Sequence, residues 1–419
     1  MLARHLIPLL ALTATLHAVD WPQYRGPLTT GATPEKILKP WTGAAPKLLW
    51  KVPSEGGFSS FAVAGTRAFT LSLKEIDGAK QESVVAHDAA TGKELWAAPL
   101  NFAKYDGGGN DGTGDNKGGD GPRSTPTIVG SNVIVLSSQL TLACFDGASG
   151  NVVWKKDLLK EHGGRNIQWQ SAASPMLAGG LIYVAGGGPG ESLLAIDPKD
   201  GSVVWKAYDE KMTHATPVAT NILGQPQIVF FVQSGLLAVE PKTGKELWRY
   251  AFPYKISTAA SPVVSGDIVY CSAGYDVGAG AVKITKEGLG FKATEIYRFR
   301  GNKPLANHWS TPVLRDGYLY GMFQFKEYGG GPVKCVDIKD GSVKWEQPGF
   351  GPGHVILAGD QMLALSDAGE LVLIAAQPTG YKELARAKVV DGKCWTTPVL
   401  ANGRIYVRSI REAACYEVK

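Results

Sequence analysis

One pattern, present in five copies, constrains this chain more than any other feature of its sequence. In each copy a small residue is followed two positions later by an acid, a Gly stands four positions after the acid, and a Trp four after the Gly. The acid, Gly and Trp of the five copies are Asp88, Gly92 and Trp96; Asp146, Gly150 and Trp154; Asp197, Gly201 and Trp205; Glu240, Gly244 and Trp248; and Asp337, Gly341 and Trp345. A unit repeated every roughly 20–50 residues is typical of stacked or radial arrays, so the pattern predicts one repetitive architecture.

The repeat has the chemistry of a β-hairpin. In Leu193–Trp205 two apolar runs flank the polar stretch Asp-Pro-Lys-Asp-Gly, and short runs rich in Val, Ile and Leu favour buried strands. We expect Asp197 to accept backbone N–H groups and Gly201 to adopt the positive φ that closes a bulged hairpin. The Trp that ends the second strand is expected to dock between neighbouring sheets through its flat ring and single N–H donor.

Each unit also has an upstream half, which begins at a Ser or Thr that is usually followed by Pro and runs into a second hairpin. This position recurs eight times, at Ser60, Thr125, Ser174, Thr216, Ser261, Thr311, His354 and Thr397. The residue before it is small in every copy: Ser59, Ser124, Ala173, Ala215, Ala260, Ser310, Gly353 and Thr396. Small side chains are what eight innermost strands converging on one axis require.

The downstream half of the repeat also occurs eight times. We expect Tyr297 and Leu384 at the Trp position of two degenerate copies. The eighth copy is split, because the chain ends in a third strand while the matching fourth strand, with Trp50, lies near residue 47. The sequence therefore predicts an all-β fold: an eight-bladed β-propeller with four antiparallel strands per blade and the last blade closed by the N-terminal strand. Such closure removes exposed strand edges.

The N-terminus predicts export from the cytoplasm. Residues 1–18 have a basic start, an apolar stretch and a small Ala18 at the cleavage point, which is the layout of a Sec signal peptide; a buried first strand is the alternative. No Cys follows directly, so we expect a periplasmic or secreted protein rather than a lipoprotein. We divide the chain into a signal peptide (1–18), an N-terminal extension (19–46) and one eight-bladed propeller (47–419).

Composition excludes several classes of protein. The net charge is +5 with scattered Lys and Arg, which argues against nucleic acid as a partner. No other apolar stretch is long enough to span a membrane. The five Cys form no C-x-x-C or C-x-x-C-H motif, which disfavours zinc ribbons, thioredoxin chemistry and c-type haem. We expect Cys144, Cys335 and Cys415, which share one repeat position, to be small buried strand residues, and we expect a monomer.

The repeat and the Ser/Thr-Pro strand resemble the PQQ-like β-propeller repeat of quinoprotein dehydrogenases and of the outer-membrane assembly factor BamB. The resemblance covers about residues 47–419. The segments Trp21–Pro27 and Gly121–Pro126 look like those of a large group of secreted bacterial PQQ-like propellers. The resemblance implies the fold, but function does not follow from a fold that hosts many activities.

The sequence also departs from both branches of that family. Quinoprotein alcohol dehydrogenases are longer and carry a disulfide between adjacent cysteines over the cofactor, and this chain has no Cys-Cys pair. The Glu, Asn and Asp that hold their calcium cannot be placed on matching positions here. The assembly factor is a lipoprotein, and this chain lacks the acylated Cys.

A set of polar and aromatic residues just before the first strands is our candidate ligand-binding site. These segments should open onto one end of the central channel, where aromatic faces can stack on a ligand and donors can orient it. The candidate residues are Phe58, Arg123, Trp169, Gln170, His214, His308, Trp309, His354 and Trp395. The alternative is that these side chains plug the channel and satisfy one another. His354 stands out because it replaces the hydroxyl of the other seven copies, through function or through repeat decay.

The glycine-rich insert 106–121 is rich in oxygen donors that could gather Ca²⁺. Its Asp spacing does not fit an EF-hand, and its G-x-G-x-x-G lacks a strand–turn–helix setting. We therefore interpret it as a solvated loop. We predict no catalytic residues and no metal ligands.

The most consistent function is a non-catalytic module that binds an envelope or secreted protein, a peptide or a small ligand at the channel face, with no cofactor. The alternative is a PQQ-dependent dehydrogenase of alcohols or sugars, in which Trp and Arg side chains would hold the quinone and Ca²⁺ would polarise it. A hydrolase or lyase built on the same ring of residues is a third, weaker hypothesis.

Overall fold

A computed structural model describes residues 19–37, 40–103, 121–302, 305–323 and 330–418. These residues form eight β-sheets. Neighbouring sheets contact one another through their first strands, so the first strands surround a central axis and the sheets radiate from it as blades. The eight-bladed propeller is therefore confirmed. The predicted signal peptide lies outside the described residues, within which no helix is long and apolar enough to cross a membrane.

Each blade has four strands, numbered here in chain order. The innermost strands of blades 1–8 are β3 (Ala62–Ala64), β7 (Thr127–Val129), β11 (Met176–Ala178), β15 (Val218–Ile222), β19 (Val263–Ser265), β23 (Val313–Arg315), β27 (His354–Ala358) and β31 (Val399–Ala401). The second strands are β4 (Arg67–Ile76), β8 (Asn132–Leu136), β12 (Leu181–Ala185), β16 (Gln225–Val232), β20 (Ile268–Ala273), β24 (Tyr318–Met322), β28 (Gln361–Leu365) and β32 (Arg404–Arg408).

The outer half of each blade is the hairpin that carries the repeat. The third strands are β5 (Ala79–Asp88), β9 (Thr141–Asp146), β13 (Leu193–Ile196), β17 (Gly235–Val239), β21 (Gly278–Glu287), β25 (Val333–Asp337), β29 (Glu370–Ala375) and β33 (Glu412–Glu417). The outermost strands are β6 (Glu94–Phe102), β10 (Val152–Asp157), β14 (Val203–Ala207), β18 (Glu246–Ala251), β22 (Gly290–Phe299), β26 (Val343–Gln347), β30 (Glu383–Lys388) and, for blade 8, β2 (Lys47–Pro53). The helix α1 (Leu158–Glu161) follows β10.

The last blade is closed by the N-terminal strand, as predicted. β2 pairs antiparallel with β33, and Trp50 lies opposite Cys415. Arg408 of β32 adds a second closure, because its buried guanidinium donates to Thr70 Oγ1 at 2.7 Å and to the Leu71 carbonyl at 2.6 Å in blade 1. The first and last blades are therefore joined both within a sheet and between sheets.

The hairpin chemistry of the repeat is also confirmed. The Asp197 carboxylate accepts the Lys199 N–H at 2.8 Å, and the Gly201 N–H donates to the Asp197 carbonyl at 2.9 Å. Gly201 has φ +75°, a conformation that favours glycine. A bulge on the second strand of this hairpin separates the Ile196–Val203 pair from the Ala195–Trp205 pair.

The repeated Trp docks onto the next blade. A Cβ on Gly150 would meet the Trp96 ring at 2.7 Å, and Trp96 Nε1 donates to the Gly147 carbonyl at 3.2 Å. The same indole-to-carbonyl bond joins other neighbouring blades, through Trp50, Trp154, Trp205 and Trp345. Trp248 differs, because its indole donates to Gln227 within its own blade.

One predicted position in the degenerate copies is wrong. Tyr297 does lie at the Trp register, opposite Ala281. In blade 7, however, Leu373 pairs with Ala385 rather than with Leu384. Leu384 falls on the bulge itself, so blade 7 presents only the methyl group of Ala385 where blade 5 presents a tyrosine ring and the other six blades present an indole.

Blade 7 also carries a fifth, unpredicted strand. β1 (Ala32–Thr33) pairs in parallel with β27 on the channel side. It belongs to residues 19–37, named here the N-terminal segment, which enters the central channel. The sequence placed this stretch in an extension outside the propeller.

The hydrophobic core lies between adjacent sheets and includes the cysteines. All five Cys are buried and free. Burial raises the pKa of the Cys144 thiol to about 11, so it remains protonated at neutral pH. This confirms the expected role of Cys144, Cys335 and Cys415 as small strand residues.

Candidate binding site at the channel mouth

The repeated Ser/Thr hydroxyl links neighbouring blades around the channel. The Ser60 N–H donates to Thr125 Oγ1 at 3.3 Å, and the Thr125 N–H donates to Ser174 Oγ at 2.9 Å. Further bonds of this kind join Ser174 to Thr216, Ser261 to Thr311 and Thr397 to Ser60. The Ser/Thr preference of the repeat therefore has a structural cause, since five of these hydroxyls accept a backbone N–H of the preceding blade and that of Ser261 donates to the Thr216 carbonyl at 2.8 Å.

A chain of six aromatic rings lies around the end of the channel where the innermost strands begin. Successive ring centroids are 5.0–6.1 Å apart, within the range of favourable aromatic pairs. The order around the mouth is Phe58, Trp395, Trp309, His308, Tyr275 and Trp169. We call these six side chains the aromatic ring of the mouth.

Arg123 closes the remaining gap in this ring. Its guanidinium donates to the Trp169 carbonyl at 2.7 Å, and the Phe58 N–H donates to the carbonyl of Pro122 at 2.8 Å. Lys393 adds a second cation, with its Nζ 4.9 Å from the centre of the Trp395 ring, a distance typical of cation–π contacts. Residues from blades 1, 2, 3, 5, 6 and 8 thus meet at the mouth.

Part of the mouth is held in a strained backbone conformation. Trp169 and Gln170 both have φ +63°, and Tyr275 and Asp276 have φ +56° and +62°. Such left-handed values cost a non-glycine residue about 1–2 kcal/mol each. The Trp169 and Tyr275 rings stack at 6.1 Å with an 11° interplanar angle, so both strained residues present their aromatic faces at the same place.

His214 and Gln170 lie below the rim. Burial, and next the nearby Arg123 charge, lower the pKa of His214 to about 3, so the imidazole is neutral. One ring nitrogen bonds to the Gln168 carbonyl, while Nδ1 has no partner among the described residues. Gln170 is buried and accepts the Ser138 hydroxyl at 3.0 Å.

His354 marks a break in the circle of hydroxyls. Burial, with the charge of Arg25 as the second cause, lowers its pKa to about 4, and its ring bonds to the Trp395 carbonyl. Arg25 of the N-terminal segment reaches the same level, donating to the Thr311 carbonyl at 3.1 Å and to the Pro312 carbonyl at 3.0 Å.

The structure thus brings most of the predicted site residues together. Trp169, His308, Trp309 and Trp395 form the ring, Arg123 bridges it, and Gln170, His214 and His354 lie beneath it. Sequence reasoning missed Tyr275, because it comes from the β20–β21 loop rather than from the segment before a first strand. Their role in binding remains a prediction.

Comparison with known proteins agrees with this architecture. The family model described as outer membrane protein assembly factor BamB matches residues 80–320. The chain belongs to this family. A BamB-family relative, the outer membrane protein assembly factor BamB of Shewanella oneidensis, is 26% identical over 268 residues, which cover 61% of this chain. The match spans 64% of that relative's length, slightly less than two thirds.

Solved structures show the same fold at low sequence identity. BamB from Moraxella catarrhalis superposes with a TM-score of 0.60 at 14% identity, over 89% of this chain and 98% of that one. Quinohemoprotein alcohol dehydrogenase from Comamonas testosteroni superposes with a TM-score of 0.64 at 12% identity, over 95% of this chain and 80% of that one. The predicted family resemblance is confirmed. The similarity to these two solved structures supports the fold alone.

The described residues of the mouth do not fit the PQQ and calcium that the quinoprotein resemblance implies. Among the residues that the structure describes, no three His, Cys, Asp or Glu side chains lie together as metal ligands would. The centroids of the Trp309 and Trp395 rings are 5.1 Å apart, so the two rings pack against each other and leave no slot between them for a planar cofactor. The predicted loop 106–121 lies outside the described residues, apart from Gly121.

Proposed function

We propose that this chain is a non-catalytic binding module of the bacterial cell envelope, which docks a partner protein or peptide on the aromatic ring of its channel mouth. Its curated relatives are named for outer membrane protein assembly, and we extend an assembly role of that kind to this chain. The observation that carries the proposal is the ring itself, in which Trp169, Tyr275, Trp309 and Trp395 are all partly exposed.

The composition of the mouth supports a protein partner. Trp, Tyr and Arg are enriched among the residues that dominate binding energy in protein interfaces, and each can keep its polar end hydrated while its flat face is covered. Arg123 and Lys393 place two cations at the edge of the aromatic surface. Ile256 is 38% exposed and lies two residues before Thr258, whose carbonyl accepts the His214 N–H at 2.9 Å, which puts this apolar side chain on the segment that reaches the mouth.

The packing of the ring favours a partner that lies on top of it over a small ligand held within it. The Trp309 and Trp395 rings contact each other directly, and Trp309 Nε1 donates to the Pro352 carbonyl at 3.1 Å. A small molecule would have to break these contacts to enter, whereas a protein surface can cover the rings as they stand.

The titration of the buried histidines supports a non-catalytic role. A general base works best with a pKa near the operating pH, while burial lowers the pKa of His214 to about 3 and that of His354 to about 4. Their bonds to backbone carbonyls suit a structural function.

Export is part of the proposal. We propose that residues 1–18 direct the chain across the inner membrane and are removed after Ala18. N-terminal sequencing of the protein from a periplasmic or culture fraction tests this directly. A mature start at Val19 supports export, and an intact Met1 in the cytoplasmic fraction overturns it.

The binding site can be tested by crosslinking in the organism that encodes the chain. A photoreactive phenylalanine analogue replaces Ile256 at the mouth or, as a matched control, Leu223, which is 41% exposed on the turn between β15 and β16. That turn lies at the end of the blades away from the mouth. The proposal expects an adduct with an envelope protein from position 256 and none from position 223. Equal adducts from both positions, or adducts only from 223, would overturn it.

A further inference from the structure

The N-terminal segment occupies the channel from the end opposite the aromatic ring. Its first residues form hydrogen bonds with the innermost strands of blades 1, 2 and 3 in turn. Trp21 exchanges two backbone hydrogen bonds of 2.8 Å with Val63 of blade 1, and the Pro22 carbonyl accepts the Ile128 N–H of blade 2 at 2.7 Å. The Gln23 amide then accepts the Leu177 N–H of blade 3 at 2.8 Å.

The second half of the segment continues around the axis to blades 6, 7 and 8. Arg25 bonds to two carbonyls of blade 6, and the Gly31 carbonyl accepts the Leu357 N–H of blade 7 at 2.8 Å before β1 pairs with β27. The Glu35 carboxylate accepts the Asn402 and Gly403 N–H groups of blade 8, both at 2.7 Å. These last two residues form the turn after β31, which places the segment at the end away from the mouth.

These contacts resemble those of a bound peptide rather than those of a blade. Extended peptides commonly bind proteins by adding a short strand to a sheet, with backbone bonds for affinity and buried side chains for specificity. Here the backbone bonds come from Trp21 and β1, and the anchors are Trp21, Gln23, Arg25 and Glu35, each at most 8% exposed.

The propeller is closed without the segment. Ring closure rests on the β2–β33 pairing, on Arg408 and on the hydroxyl bond between Thr397 and Ser60, and none of these contacts involves residues 19–37. Loss of the segment should therefore leave the eight blades connected.

We propose that the channel end opposite the mouth is a peptide-binding site, and that the N-terminal segment is its ligand, tethered in cis. The site recognises an extended peptide with Trp, Gln and Arg at alternate positions and an acid ten residues after the Arg. The segment leaves and returns while the blades stay folded, and the same sequence supplied as a free peptide takes its place.

Arg25 gives this site its chemical selectivity. Its guanidinium bonds only to carbonyl oxygens in the described residues: Thr29 and Thr30 of the segment, and Thr311 and Pro312 of the channel. The fork of N–H donors reaches these acceptors in two directions, which a lysine ammonium on a flexible stem reproduces poorly. The guanidinium also packs on Gly31, where a Cβ would come within 3.0 Å of it.

The test keeps the chain intact until it has folded. A specific protease site is placed in the exposed residues 42–45, which precede β2, and the chain from Val19 onward is cut after purification. The cut protein is then passed over a size-exclusion column, before and after a fluorescent synthetic peptide of residues 19–43 is added in competition. Circular dichroism follows the propeller throughout.

The proposal expects the cut fragment to co-elute with the propeller and to exchange with the synthetic peptide. A peptide carrying Arg25→Lys should bind at least about tenfold more weakly, which is about 1.4 kcal/mol. A peptide carrying Leu28→Ser should bind within twofold of the parent, because Leu28 is 68% exposed. Failure of the synthetic peptide to rebind, unfolding of the propeller on loss of the fragment, or equal binding of the Arg25→Lys peptide would each overturn the proposal.

Discussion

The indole of Trp50, on the N-terminal strand, lies over Gly92 of blade 1, so closely that a Cβ on Gly92 would come within 2.6 Å of the ring. Trp50 Nε1 also donates to the Ala89 carbonyl at 3.1 Å. This pair carries the repeated Trp–Gly contact across the joint where the two ends of the propeller meet.

Gly92→Ala is expected to destabilise the protein strongly. The added methyl would both overlap the indole and strain a residue at φ +72°, and the two effects together cost about 2–5 kcal/mol. Gly130→Ala is the matched control, since Gly130 has φ +60° and a methyl group added there would meet no atom of the described residues within 4 Å. Urea denaturation measures both. Equal losses in the two variants would show that the contact with Trp50 contributes nothing.

Arg408→Met is expected to weaken the joint from the other side. The buried guanidinium donates to Thr70 Oγ1, to the Leu71 carbonyl and, at 2.7 Å, to the Gly56 carbonyl. Methionine would remove these donors, at a cost of about 1–3 kcal/mol for each buried acceptor left without a partner. Arg249→Met removes an exposed arginine with two acidic partners and should cost less than about 1 kcal/mol. Similar midpoints for the two variants in urea would contradict the closing role of Arg408.

The repeat made most of the fold predictable. The repeated Trp predicted docking between neighbouring sheets, as Trp96 does, and the split copy predicted that the strand with Trp50 closes the last blade, because both depend on local periodicity. Ala385 was missed because the blade 7 hairpin has a loop two residues longer, closed by the bond from the Ala375 N–H to the Lys382 carbonyl where blade 3 pairs Asp197 with Ser202. Tyr275 was missed because no repeat position marks the β20–β21 loop. The N-terminal segment could not be placed, since its contacts with Val63 and Leu357 join residues far apart in sequence and follow no repeat.

Acid is expected to destabilise the protein through His214 and His354. Their folded pKa values, about 3 and about 4, lie below the unfolded value near 6.5. Between these limits the unfolded chain binds more protons, so the free energy of unfolding falls as the pH falls from about 6.5 towards 4, by up to about 1.4 kcal/mol per pH unit for each histidine.

His354→Thr provides the check, because it restores the residue type of the other blades and removes one titrating group. Urea midpoints measured between pH 7 and pH 4.5 should fall less steeply in this variant than in the parent. Parallel profiles would show that His354 does not stay neutral in the folded protein.

PQQ with Ca²⁺ is expected to leave the melting temperature unchanged. A ligand that binds only the folded state raises the melting temperature by an amount that grows with the logarithm of its concentration over its Kd, and the contact between Trp309 and Trp395 leaves no room for a quinone between these two rings. Thermal unfolding with and without both additives, together with alcohol-dependent dye reduction, measures this. A clear upward shift with turnover would restore the dehydrogenase interpretation.

The central claim, that the aromatic ring of the mouth is the docking surface, is tested most directly by calorimetry on the partner that crosslinking identifies. The Trp309→Ala variant should bind that partner at least about tenfold more weakly, as expected for an aromatic anchor, while Leu223→Ser, at the other end of the blades, should bind within twofold of the parent. Both variants are compared only after circular dichroism shows the parent spectrum. Unchanged affinity in Trp309→Ala, or a greater loss in Leu223→Ser, would contradict the account.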